Sequence, residues 1–137
     1  MGAPLELLRR VPLFDGLDDK HLKRLGESFT ERPFTAGQEL VTEGSGGVGF
    51  FVIESGEAHV SVEGESRREL GPGAYFGEIA LIDGGLRTAT VTAVTDGTMY
   101  GMTSWQFRPL VEDNASIAWP LLVAMAKRTR ELEQREH

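Results

Sequence analysis

Residues 76–89, FGEIALIDGGLRTA, interrupt a β-prone region with a segment that does not read as a strand. They follow a glycine-rich turn, Gly71-Pro72-Gly73, and lead into the β-prone residues 88–95. Glu78-Ile79-Ala80-Leu81-Ile82 holds neither glycine nor proline and suits one or two helical turns, whose first N–H groups lack an intrahelical partner. Such a helix start binds phosphate through free N–H groups and their partial positive charge, and Gly77 just before it lets a ligand approach the backbone. Residues 82–86, with a turn at Gly84-Gly85, separate Leu81 from Arg87, whose planar guanidinium matches the two free oxygens of a phosphate. Thr88 adds a hydroxyl donor beside it, and Glu78 offers an acceptor for a sugar hydroxyl. Taken singly, Arg87 with Glu78 reads as a structural ion pair, Gly77 as a turn residue and Thr88 as a strand threonine. Their joint spacing points instead to a compact ribose-phosphate anion.

Around this segment the sequence breaks into short β-prone runs at residues 39–42, 48–54, 58–63, 68–70, 89–94 and 98–102. Glycines 37, 44, 56, 64, 71, 73 and 97 fall at the breaks, where tight turning is least costly for glycine. The pattern predicts an antiparallel barrel or roll rather than βαβ units. Residues 88–95 have good β propensity but no clean polar face, so that strand is expected to be covered on both sides.

Helical spacing flanks the β region. Leu5, Leu8, Val11 and Leu13, then Leu17, Leu22, Leu25 and Phe29, predict two short helices about a turn at Phe14-Asp15-Gly16, with Asp18 and Asp19 suited to capping the second and Gly26 near its end. After Trp105 a helix over 104–112 and a longer one over 116–136 are predicted, and Pro120 leaves the start of the latter open. Lys127, Arg128 and Arg130 read as cations offsetting a helix dipole. Trp105, Trp119, Phe107, Met102 and Met125 read as core and helix packing.

Composition narrows the function. The 137 residues suit one domain, and 21 Asp and Glu against 14 Lys and Arg give a net charge of −7, which disfavours direct nucleic-acid or anionic-membrane partners. No apolar run approaches a membrane span and the start lacks a secretory core, so a cytoplasmic protein is expected. Cysteine is absent, and His21, His59 and His137 are too scattered for metal-ligand spacing. A metal-dependent enzyme on a β-barrel, or a metal-activated phosphodiesterase, lacks the ligands it would need, so no enzyme is expected.

The motif Phe76-Gly77-Glu78-Ile79-Ala80-Leu81, five residues, then Arg87-Thr88-Ala89 resembles the phosphate-binding cassette of the cyclic-nucleotide-binding domain family, which includes cAMP receptor protein-like and kinase regulatory subunit-like sensor domains. Leu8 to Phe14 with Leu17 resembles the family's helical lead-in, and Gly37, Glu43-Gly44, Phe51-Val52-Ile53, Gly56 and Gly73 fall where its roll turns. The resemblance implies a mainly β fold with flanking α-helices, an antiparallel double-stranded β-helix (β-roll, jelly-roll-like). N-terminal helices would occupy residues 1–28, the roll 29–102 and C-terminal helices 103–137. It implies cAMP or cGMP as ligand and no cofactor, with Arg87 on the cyclic phosphate, Glu78 on the ribose 2′-hydroxyl, and the backbone of Gly77, Ile79 and Ala80 completing the cradle. Thr88 would donate to phosphate or to a syn guanine, while Val60 and the C-terminal helix would cover the base. One departure is Ser45-Gly46-Gly47-Val48-Gly49, where family members often carry an acidic residue just before the strand. Arg67 and Arg68 fall near the expected base contacts with no orientation implied.

The resulting expectation is a ligand-sensing regulatory module whose C-terminal helices transmit occupancy to a protein effector or to a second copy. A homodimer contact would use Leu121, Met125 and Leu132. A degenerate, nucleotide-free interaction domain of the same fold is the alternative, and an intact Glu78 and Arg87 argue against it.

Overall fold

Period-two alternation along the strand Gly49–Ser55 organises the protein, because both faces of that strand are buried in different surroundings. Phe50 and Val52 point to one side and join a cluster with the helices, whereas Phe51 and Ile53 point to the other and join the interior between two sheets. The computed structural model describes residues 2–45, 49–77 and 87–136.

The described elements run α1 (Leu5–Leu8), a 3-10 turn (Pro12–Phe14), α2 (Asp19–Gly26), β1 (Thr30–Phe34), β2 (Glu39–Val41), β3 (Gly49–Ser55), β4 (Ala58–Val62), β5 (Glu65–Leu70), β6 (Tyr75–Phe76), β7 (Thr90–Ala93), β8 (Gly97–Thr103), α3 (Ser104–Asp113) and α4 (Ala115–Glu136). They form two four-stranded antiparallel sheets, ordered β1-β8-β3-β6 and β2-β7-β4-β5. The protein is thus mainly β with flanking helices, as the sequence predicts. Phe34, Ile53, Phe76 and Met99 of the first sheet meet Ala58, Val60, Leu70, Val91 and Ala93 of the second to form the roll interior. On the first sheet's other face Phe50, Val52, Tyr100 and Met102 meet Leu8, Phe14, Leu22, Leu25 and Phe29 from the N-terminal elements and Phe107, Ile117 and Leu121 from the C-terminal helices.

Phe50 centres that second cluster. Its ring centroid lies 5.9 Å from Phe14, 6.0 Å from Phe29 and 6.1 Å from Tyr75, the first two edge-on, a geometry that aligns ring edges with ring faces. Helix α2 is started as expected by Asp18, whose carboxylate accepts from the His21 N–H at 2.9 Å, and that hydrogen bond lowers the Asp18 pKa.

Several expectations change. Strand β1 was not expected, because Glu31, Arg32 and Pro33 hide it. It lies at a sheet edge with four of five residues exposed, where proline is tolerated because only one side pairs. Two-residue β6 is too short to show a period and is defined by its pairing of Phe76 with Phe51 and Tyr75 with Val52. Strand β5 begins three residues before the run over 68–70, its exposed Glu65, Arg67, Arg68 and Glu69 giving the sheet a charged edge. The strands covered on both sides are β3 and β8, not β7. In β7 only Val91 and Ala93 are buried, since the helices pack on the other sheet.

Helix α4 starts at Ala115, so Pro120 is internal, and the sequence-predicted start at 116 is one residue late. Its ring sits against Gly16, where an added Cβ would come within 2.8 Å of Pro120 Cβ, so α4 docks on the turn after the 3-10 segment. Leu121 is buried in the core and is unavailable for the expected contact with a second copy, whereas Leu132 is exposed. Trp105 and Trp119 are exposed rather than packed in the core.

Replacing Phe50 by alanine removes the ring shared by three aromatic contacts and is expected to cost about 3–5 kcal/mol of stability, read as a lowered midpoint in urea unfolding. A loss below about 1 kcal/mol would mean that the cluster refills the space without it.

Candidate functional site

Three backbone and side-chain groups distant in sequence meet where β6 ends. Phe76 is buried, its ring centroid 5.3 Å from Phe51, and its pairing with β3 delivers the next residue beside the start of that strand. Gly77 has φ +91, the left-handed region that favours glycine. A Cβ placed on it would lie 2.5 Å from the Gly49 carbonyl oxygen and 2.8 Å from Arg87 Nη1. The chain at position 77 therefore runs directly against a guanidinium, with room for hydrogen alone.

Arg87 is buried, 8% exposed, which is unusual for a group so costly to desolvate. Its Nη2 donates to the Gly49 carbonyl at 2.8 Å. The main chain of the same residue is held in both directions: its N–H donates to the Ser45 carbonyl and its carbonyl accepts from the Gly44 N–H, each at 2.9 Å. Position 87 is consequently fixed at backbone and side chain alike, and a fixed planar fork of N–H donors is chemistry that recognises an oxyanion.

The remaining expected residues divide. Thr88 is exposed and Ala89 half-buried, and Ala89 packs on the interior cluster that also holds Phe76 and Val60. Val60 is buried on β4, opposite Val91 on one side and Arg68 on the other. The structure thus brings Phe76, Gly77, Arg87, Ala89 and Val60 to the roll interior and its margin. Glu78, Ile79, Ala80 and Leu81 lie outside the described residues. The buried side chains of α4, Ile117 and Leu121, belong to the helical cluster rather than to Val60's surroundings. Arg68 lines a groove with Tyr75, Lys127, Arg128 and Leu132, between β5 and α4, and Arg67 faces Glu65 at 3.8 Å on the surface.

Sequence reasoning missed the Gly49 carbonyl and the 42–45 turn as partners of Arg87. The only signal was Glu43-Gly44, legible as a turn but not as a support for a residue more than forty positions later. Among the described residues no cluster of His, Asp and Glu is arranged to hold a metal ion, and no helix is long and apolar enough to cross a membrane.

The family model of the cyclic nucleotide-binding domain matches residues 31–114, and the chain belongs to that family. A cAMP-dependent protein kinase regulatory subunit of Yarrowia lipolytica is 40% identical over 90 residues, 64% of this chain and 24% of the relative. The chain spans a quarter or less of the length of the curated relatives it matches. Among solved structures, it is similar to the N-terminal domain of a transcriptional regulator from Streptomyces coelicolor A3(2), with a TM-score of 0.86, 30% identity and coverage of 96% of this chain and 95% of that one. It is similar also to the regulatory domain of Toxoplasma gondii PKA co-crystallised with cAMP, with a TM-score of 0.71, 34% identity and coverage of 80% and 43% respectively.

Gly37 serves as a control for Gly77, because its φ is +88 and nothing lies within 4 Å of its missing Cβ. Gly37→Ala is expected to cost only the backbone strain, about 1–2 kcal/mol. Gly77→Ala adds the displacement of Gly49 or Arg87 and is expected to cost about 1–3 kcal/mol more in thermal or urea unfolding. Equal losses for the two variants would show that the approach at position 77 relaxes freely.

Proposed function

We propose that residues 1–137 act as one ligand-sensing regulatory domain that binds a cyclic nucleotide without turning it over. The observation that carries this reading is the Arg87 guanidinium, buried, held by the Gly49 carbonyl and pressed against a left-handed Gly77, within a segment that has the family's cassette spacing. A phosphate bound there would take its charge-assisted hydrogen bonds from Arg87, with the 2′-hydroxyl of the ribose on Glu78 and the backbone of Gly77, Ile79 and Ala80 completing the cradle. Thr88 is exposed beside Arg87, where its hydroxyl would donate to the phosphate or to a syn guanine. Val60, Phe76, Leu81 and Ala89 would meet the sugar and base. The likeness to kinase regulatory domains favours cAMP over cGMP, and no cofactor enters this reading.

Occupancy would be passed on by the helices that follow the roll. Helix α3 continues directly from β8, where the Thr103 N–H donates to the Gln106 side chain at 3.0 Å in a capping box, so a shift of β8 is a shift of the helix start. Helix α4 then rests on Gly16 through Pro120. The output is a protein effector or a second copy, in the cytoplasm, with no direct contact to nucleic acid or membrane.

Isothermal titration with cAMP and cGMP side by side tests the reading. Binding at micromolar concentration or below is expected, and Arg87→Ala is expected to cost about 2–5 kcal/mol of it, because the phosphate charge loses its partner. Unchanged affinity in that variant would remove Arg87 from the phosphate, and no heat with either nucleotide would overturn the sensor reading.

A further inference from the structure

Arg87 is supported by a chain of hydrogen bonds that begins at the hairpin tip between β4 and β5. The 42–45 turn, which pairs with the Arg87 main chain through Gly44 and Ser45, is closed by a hydrogen bond from the Ser45 N–H to the Thr42 carbonyl at 3.1 Å, with Gly44 at φ +80. Glu43 anchors this turn in two ways. Its N–H donates to Thr90 Oγ1 at 2.9 Å, and its carboxylate accepts from the Glu63 N–H at 2.8 Å. Glu63 and Gly64 form the tip between β4 and β5, where Val62 pairs with Glu65. Both tip residues have positive φ, +53 and +82, as a type I′ hairpin turn requires. Such a tip is a rigid attachment point, and a carboxylate acceptor makes a stronger bond to it than a neutral group does.

We infer that Glu43 is a positioning residue for ligand binding: by tying the 42–45 turn to the β4–β5 hairpin tip, it sets where the Arg87 guanidinium meets the phosphate. Glu43 is half-buried and is itself no phosphate contact, since its charge would repel one. Its effect reaches the ligand through the Arg87 backbone, with Thr90 as the second anchor. The inference rests on the reading of Arg87 as the phosphate ligand.

The test is a titration of the wild-type, Glu43→Ala and Glu43→Gln chains with cAMP and with the two diastereomers of cAMP in which one exocyclic phosphate oxygen is replaced by sulfur. The diastereomers differ only in which exocyclic position carries the sulfur, and so in whether oxygen or sulfur faces the guanidinium, and the ratio of their affinities reads its placement. Glu43→Ala is expected to weaken cAMP binding on the order of tenfold and to bring that ratio towards one. Glu43→Gln keeps an oxygen acceptor for the Glu63 N–H and is expected to retain most of both the affinity and the ratio. Wild-type affinity in Glu43→Ala overturns the inference. So does equal weakening of both diastereomers with the ratio preserved, which is what general loosening of the fold would produce. Equal binding of the two diastereomers by the wild-type chain also overturns it, because Arg87 would then exert no directional control. No binding of cAMP by the wild-type chain overturns the sensor reading itself.

Discussion

The pairing of β3 with β8 is the constraint from which the other features follow. These are seven-residue strands at the middle of one sheet, and each must satisfy two apolar environments at once. Phe50 and Val52 with Tyr100 and Met102 face the helices, while Ile53 and Met99 face the second sheet. A slip of one residue in either strand would exchange the faces and place the roll's interior side chains against the helices. The register is therefore held by burial on both sides, and the helices at the two ends of the chain are recruited to one face by the same strand pair.

The proposed site takes its support from this arrangement. Gly49 is the first residue of β3 and pairs with Thr103 at the end of β8, so the carbonyl that accepts from Arg87 belongs to the best-supported ladder of the fold. Gly77 is delivered to the same point by the short β6, which pairs with β3. A flexible side chain such as arginine loses much rotamer freedom when it is ordered, and at Arg87 the fold itself meets that cost, as the proposed binding role would require. Residues 45–49 hold no acidic side chain, and the Gly49 carbonyl is one acceptor for the guanidinium.

The two sheets have unequal duties. The β1-β8-β3-β6 sheet joins the roll to the helices, and α3 leaves directly from it. The β2-β7-β4-β5 sheet carries Val60, Val91 and Ala93 into the interior and presents charged residues at its β5 edge. The proposed ligand contacts near β6 and β7 and the departure of α3 from β8 would thus be linked through β3, which pairs with β6 and β8 and reaches the helical cluster. A shift at Gly49 has a short path to Phe50 and from there to Phe14 and Phe29.

The linear order of residues alone determined the mainly β class, the helices at both ends, the cap at Asp18 and the cassette in which Gly77 and Arg87 stand at a set spacing. Each of these depends on neighbours within a few positions: a glycine at a break, a carboxylate three residues before an amide, a polar residue after a turn. What only the tertiary structure decided depends on partners far apart in the chain. Edge strand β1 exists because β8 offers it hydrogen bonds, despite Pro33 and a charged, unpatterned sequence. The strands buried on both faces are β3 and β8 because the helices settle on that sheet and not on the one containing β7. Arg87 owes its position to Gly49 and Ser45, and the turn at Glu43 owes its anchor to Glu63. Such long-range hydrogen bonds leave no periodic trace in sequence, since a backbone carbonyl accepts and a backbone N–H donates equally well whatever side chain its residue carries.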